Sequence, residues 1–176
     1  SSFQDIIELK QKDIFLFYSL INKDRRFYLK NILSKSTLKK EFSHKINGRW
    51  ENQYIDLDLI PEIKPVLLKA CKFGKSIIDK SLVIPHKKLG FPYNEFWFHI
   101  SNSGDNTGWH DHKENAEISG VFCISVPKMS GNIIFRKKNK NKYQKWFVKP
   151  QDGMMLLFPS KLEHCVEINK SCDTRI

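Results

Sequence analysis

From Phe91 onward the chain reads as a series of short β-rich runs separated by turn residues: EFWFHIS, EISGVFCISV, GNIIFRK, KWFVK, GMMLLFP, HCVEI and a terminal CDTRI. Closely spaced short strands of this kind predict a sandwich or barrel. The first half differs. Residues 14–21, IFLFYSLI, form a continuous apolar run ended by Asn22-Lys23-Asp24, which predicts a buried strand. Between Arg25 and Phe42 apolar residues recur at Phe27, Leu29, Ile32, Leu33, Leu38 and Phe42, predicting one or two amphipathic helices, and Asn47-Gly48 breaks the pattern. A further helix is predicted where Asp58 can cap, Pro61 suits a first turn, and Ile63, Val66, Leu67, Ala70, Phe73 and Ile77 follow at three- and four-residue steps.

The expectation is a mainly β protein with N-terminal helices backing an antiparallel double-stranded β-helix of the jelly-roll or cupin-like kind. Its 176 residues fit one domain, 1–176, with 1–90 supplying the N-terminal strand and supporting helices and 91–176 the β-helix core. No internal repeat and no Gly/Ser/Pro linker argues for a second domain. The run RKKNKNKYQK, residues 136–145, is expected to be a hairpin loop with a solvated basic tip. Met154 and Met155 lie in a run of buried-strand character and are expected in the core.

Charge narrows the partners only slightly. Thirty Lys+Arg against 19 Asp+Glu give +11, attractive to phosphates, anionic surfaces or acidic substrates, but lysine is spread along the whole chain, as expected for a solvated surface. Cys71, Cys123, Cys165 and Cys172 show neither a CxxC pair nor the density of a disulfide scaffold, which implies free thiols and a reducing compartment. No apolar run spans a bilayer, and SSFQDIIELK lacks the features of a signal peptide, so a cytoplasmic protein without membrane contact is expected.

The chemistry concentrates in three histidines. On an extended chain residues i and i+2 point to one side, so His110 and His112 can reach one ion while Asp111 points away. A sheet closed on itself can bring His164, 54 residues after His110, alongside them as a third ligand, with coordination positions left open. A His-x-His pair also arises by chance, and His44, His86 and His99 show that histidine is not rare here. Trp97 and Trp109 could face such a cavity or pack in the core.

In order, the segments FWFHISNSGD, GWHDHKENAEISGVFCISVP, SGNIIF, PQDGMMLLFPSKLEHCVEI and TRI resemble the 2-oxoglutarate/Fe(II) oxygenases that carry a His-x-His, a Ser-Gly-Val, a Phe-Pro strand, a His and an Arg-Ile. The preceding NGRWENQYIDLDLIPEIKPVLLKA resembles the helical lead-in of that family, so the resemblance covers roughly residues 47–176. It implies an Fe(II)- and 2-oxoglutarate-dependent dioxygenase consuming O₂, with hydroxylation of an amino acid, a peptidyl residue or a small metabolite as the outcome. It also implies His110, His112 and His164 as metal ligands and Arg175 as the cation for the distal carboxylate of 2-oxoglutarate, with no catalytic residue beyond the ligands. An arginine fork suits that carboxylate bidentately.

Two departures stand out. The wider superfamily uses His-x-Asp where this chain has His110-x-His112, and His112-x-Glu114 with His164 would restore a carboxylate. Related sequences carry a tyrosine where this one has Cys123. A last strand is expected to continue past Ile176. Two other classes stay open: a cupin-type metalloenzyme that does not use 2-oxoglutarate, with Glu117 joining the histidines, and a basic nucleic-acid-binding module built on RKKNKNKYQK. The prime substrate and the oligomeric state are not encoded in any recognisable motif.

Overall fold

The computed structural model describes residues 3–35, 37–46, 49–112 and 116–176. The chain divides into two compact units, one formed by residues 1–19 and 101–175 and the other by residues 20–100 with Ile176.

The first unit is a double-stranded β-helix. Helix α1 (Phe3–Gln11) leads into strand β1 (Phe15–Phe17), and six strands follow after residue 100: β4 (Thr107–His110), β5 (Ile118–Phe122), β6 (Ile133–Asn139), β7 (Lys142–Val148), β8 (Met155–Pro159) and β9 (Glu163–Val166). They form two antiparallel sheets with the orders β1-β8-β5 and β4-β9-β6-β7. The apolar run at 14–21 is thus a strand, shorter than expected, paired with β8 through Phe15–Leu157 and Phe17–Met155.

The core of this unit lies between the two sheets. Leu156 and Phe158 from β8 and Cys123 beyond β5 meet Ile133 and Phe135 from β6 and Val148 from β7, with Leu9 and Ile14 at one end. Phe135 and Phe158 pack edge to face at 4.9 Å, a geometry that aromatic quadrupoles favour. Met154 and Met155 are buried, as the apolar run predicts. Gly131 has φ +99°, and a Cβ there would stand 2.5 Å from the Glu167 carbonyl oxygen, so the glycine of SGNIIF is required by both conformation and space. The basic run 136–145 lies mostly within β6 and β7, and only Lys140-Asn141 form the turn.

The second unit holds helices α2 (Lys23–Leu33) and α3 (Lys64–Ile78) and a hairpin of strands β2 (Glu41–Ile46) and β3 (Arg49–Tyr54). The end of the apolar run serves as the start of α2, because the Asn22 side chain accepts a hydrogen bond from the Arg25 amide at 2.8 Å. The helical reading of 25–42 overshoots: α2 stops at Leu33, and Phe42 belongs to β2. The apolar face predicted for α3 is buried or half-buried, whereas Leu68 on its other side is exposed. Asp58 does not cap α3. It sits in a short 3₁₀ turn and pairs with Lys88 at 3.6 Å, while Pro61 opens the next 3₁₀ turn and Pro65 lies in the first turn of α3. The segment 95–101 is likewise no regular strand; it makes isolated bridges, Phe98 to Gln53 in this unit and Ser101 to Arg175 in the other. No helix among the described residues is long and apolar enough to cross a membrane.

Candidate metal centre

Strands β4 and β9 are antiparallel, and their register sets His110 directly opposite His164. The next pairing sets His164 opposite Phe135 of β6. Side chains alternate along a strand, so the register that sends Phe135 into the core also turns His164 inward. His112 follows just beyond β4, where its amide donates to the Ser160 carbonyl at 2.8 Å and fixes the chain as it leaves the strand. The Ser160 hydroxyl is in turn 2.7 Å from that of Ser119.

These placements bring three imidazoles together. Ring centroids are 4.2 Å apart for His110–His164, 5.2 Å for His110–His112 and 5.5 Å for His112–His164. One ligand nitrogen from each lies within 4.8 Å of the other two. Two of the rings are oriented from behind. His110 Nδ1 lies 2.8 Å from the Gly108 carbonyl and His164 Nδ1 lies 3.2 Å from the Leu162 carbonyl. A carbonyl only accepts, so Nδ1 carries the proton in both contacts and the free lone pair sits on Nε2.

Burial completes the preparation of His164. It lies against Phe158 at 4.9 Å and Phe135 at 5.9 Å and is 5% exposed. Burial, seconded by the neighbouring His110 imidazole, pushes its pKa down to about 3, so it is neutral across the physiological range. Three imidazole nitrogens converging within 4.8 Å are a donor set that fits a divalent first-row transition metal. Glu114 lies outside the described residues, and Asp111, whose negative charge acts on His164 in the opposite sense, is half-buried beside the cluster.

Arg175 is positioned by a separate device. Its amide and carbonyl bridge Ser101 at 2.9 and 2.8 Å, and its guanidinium donates to the Ser130 carbonyl. The turn that returns the chain from β9 is organised by Asn169, which is fully buried. Its amide nitrogen donates to the Ser101 and Asp173 carbonyls at 3.0 and 2.9 Å, and its Oδ1 accepts from Ser171. The sequence analysis gives Asn169 no role; a turn-forming Asn between two β-rich runs is the signal that points to it. The guanidinium's positive charge reaches the Cys123 thiol, although burial dominates there and pushes that pKa up to about 12. The hydroxyl of Ser130 is buried without a hydrogen-bond partner. A guanidinium beside an unsatisfied buried hydroxyl is suited to a carboxylate.

Trp97 and Trp109 are placed differently. Trp97 packs on Tyr54 at 5.9 Å in the second unit. Trp109 alternates with His110 and points to the opposite side of β4, where the Arg136 guanidinium lies 4.0 Å from its ring centroid.

Residues 95–176 match the family model described as "Putative 2OG-Fe(II) oxygenase". Over that segment the chain is similar to the 2OG-Fe(II) oxygenases. The chain also resembles solved structures along nearly its whole length. One is the non-heme alpha-ketoglutarate-dependent carbocyclase SnoK from nogalamycin biosynthesis, at 10% identity and TM-score 0.67, covering 99% of this chain and 81% of that one. Another is AviO1 from Streptomyces viridochromogenes, at 12% identity and TM-score 0.65, covering 99% and 91%. A third is a Pseudomonas putida prolyl-4-hydroxylase, at 13% identity and TM-score 0.57, covering 98% and 85%. At these identities the likeness establishes the fold, the double-stranded β-helix. Among curated proteins none matches the sequence.

Proposed function

We propose that His110, His112 and His164 hold the Fe(II) of this oxygenase, that Arg175 pairs with the distal carboxylate of 2-oxoglutarate, and that the reaction is hydroxylation of an amino acid, a peptidyl residue or a small metabolite. The observation that carries the reading is the convergence of three imidazole nitrogens within 4.8 Å, two of them on rings whose Nδ1 atoms are already committed to carbonyls. Fe(II) with 2-oxoglutarate and O₂ supplies the oxidising equivalents that yield succinate and CO₂ and place oxygen in a substrate C–H bond.

The residues of this chain have narrower tasks. The Gly108 and Leu162 carbonyls hold two ligands in one tautomer, so metal binding needs no ring rotation. Phe135 and Phe158 keep water from the buried side of His164 and keep that ligand unprotonated. Arg175 gives a dianion entering a partly closed barrel a fixed counter-charge in place of its hydration. The test of its role is Arg175→Leu: 2-oxoglutarate binding should weaken by about 2–5 kcal/mol, the cost of leaving a buried charge unpaired, while the metal content stays at one per chain. Unchanged 2-oxoglutarate affinity in that variant removes Arg175 from the site. Succinate release from 2-oxoglutarate by the wild-type protein separates this reading from a cupin-type enzyme that does not use the co-substrate.

A further inference from the structure

The face of the four-stranded sheet that points away from the histidines has its own composition. In the registers of β6 with β7 and β9, Arg136 stands opposite both Lys145 and Glu163, and Lys138 stands opposite Tyr143. Alternation therefore sends Tyr143, Lys145 and Phe147 of β7 outward, while Trp146 and Val148 turn to the core. Tyr143 is 48% and Phe147 60% exposed, and Lys138 and Lys145 are exposed between and beside them. The Arg136 guanidinium lies between two rings, 4.0 Å from the centroid of Trp109 and 4.4 Å from that of Tyr143, and Glu163 Oε2 holds it at 2.5 Å. Lys145 adds a second cation 5.7 Å from the Trp109 ring.

We propose that this outer face binds single-stranded nucleic acid, with Tyr143 and Phe147 as stacking platforms and Lys138 and Lys145 as phosphate contacts. The inference is independent of the metal reading, because it uses the opposite side of the same strands. Charge decides the class of partner: Glu163 is paired with Arg136, and Lys138 and Lys145 stand exposed on a chain of +11. The rings then decide among polyanions. Tyr143 and Phe147 are four residues apart on one strand, roughly 13 Å, with Lys145 midway. At that spacing the two rings suit bases separated by one intervening nucleotide of an extended strand whose backbone passes Lys145, and the cation breaks up the continuous apolar band that insertion into a lipid surface needs. In a duplex the base faces are already stacked, so exposed rings favour a single strand.

The test is fluorescence anisotropy of labelled oligothymidylate and oligouridylate with the full chain. The wild-type protein should bind both, with an affinity that falls as salt rises. Phe147→Ala and Tyr143→Leu should each weaken binding roughly 5- to 150-fold, since a base–aromatic stack is worth about 1–3 kcal/mol. Tyr143→Phe keeps the ring and should retain affinity. Lys145→Gln should reduce the slope of log K against log salt by about 0.7, as loss of one phosphate contact to a single strand requires. Equal binding by the ring variants, with unchanged thermal melts, overturns the proposal in favour of attraction by net charge alone. No binding, tighter binding to a duplex of the same sequence, or binding to phosphatidylserine vesicles that depends on the same two rings also overturns it.

Discussion

On β4, β6 and β9 a single residue step separates His110 from Trp109, Phe135 from Arg136 and His164 from Glu163. The inward set packs ring on ring, with His164 5% exposed, Phe135 fully enclosed and His110 half-buried. The outward set is partly solvated and holds a cation and an anion beside the Trp109 ring, with Arg136 shared between two rings and a carboxylate. Backbone and strand pairing are common to both, so the contrast arises from solvent. Out of water an imidazole loses its proton and becomes a ligand, whereas in water an arginine keeps its charge and holds a carboxylate at little net gain.

Truncation should separate the faces most strongly. Phe135→Ala removes a ring that packs on Phe158 and His164, and it should destabilise the fold by about 3–5 kcal/mol in denaturant titration. Phe147→Ala, an aromatic truncation on the neighbouring strand but on the outer face, should stay within about 0.5 kcal/mol of wild type. Similar losses from the two would mean that the inner and outer faces are not distinguished by burial.

Acid should act through the inner face. The imidazole of His164 titrates near its ordinary 6.5 in the unfolded chain and near 3 in the folded one. Between those values the unfolded state binds the proton more readily, so this contribution is complete above about pH 6.5 and is lost as the pH falls toward 3. The loss should reach about 1.4 kcal/mol per pH unit from this group in metal-free protein. His164→Gln should flatten that slope when stability is measured between pH 6.5 and 4, and an unchanged slope would assign the acid sensitivity to other groups. The smallest effect belongs to the outer ion pair: Glu163→Gln should cost only about 0.2–1 kcal/mol and less as salt is raised, because the pair is partly solvated.

Which parts could be read from the sequence follows the same division. The histidine cluster was readable because it depends on a period of two and on one cross-strand register, and both are local properties of short strands. The helical face of α3 was readable for the corresponding reason at a period of 3.6. The β2–β3 hairpin was missed, although Asn47-Gly48 is a strong hairpin signal, because Phe42 continued the spacing of the preceding helix. The segment 95–101 carries strand composition but makes only single bridges, since its pairing is decided by distant residues, Gln53 and Arg175. The roles of Asn169 and Ser130 depend on tertiary contacts that no spacing encodes. Lysines distributed along the chain concealed the outer face, which becomes a patch only when β6 and β7 are paired.

The central claim is that His110, His112 and His164 form an iron site at which 2-oxoglutarate is bound. Anaerobic titration of the metal-free protein with Fe(II) in the presence of 2-oxoglutarate measures it through the weak visible charge-transfer band of the chelated co-substrate. The wild-type protein should develop the band and saturate at one iron per chain, and His164→Ala should develop none under the same conditions. A band of wild-type intensity and affinity in His164→Ala, or no band in the folded wild-type protein at saturating Fe(II) and 2-oxoglutarate, would contradict the account.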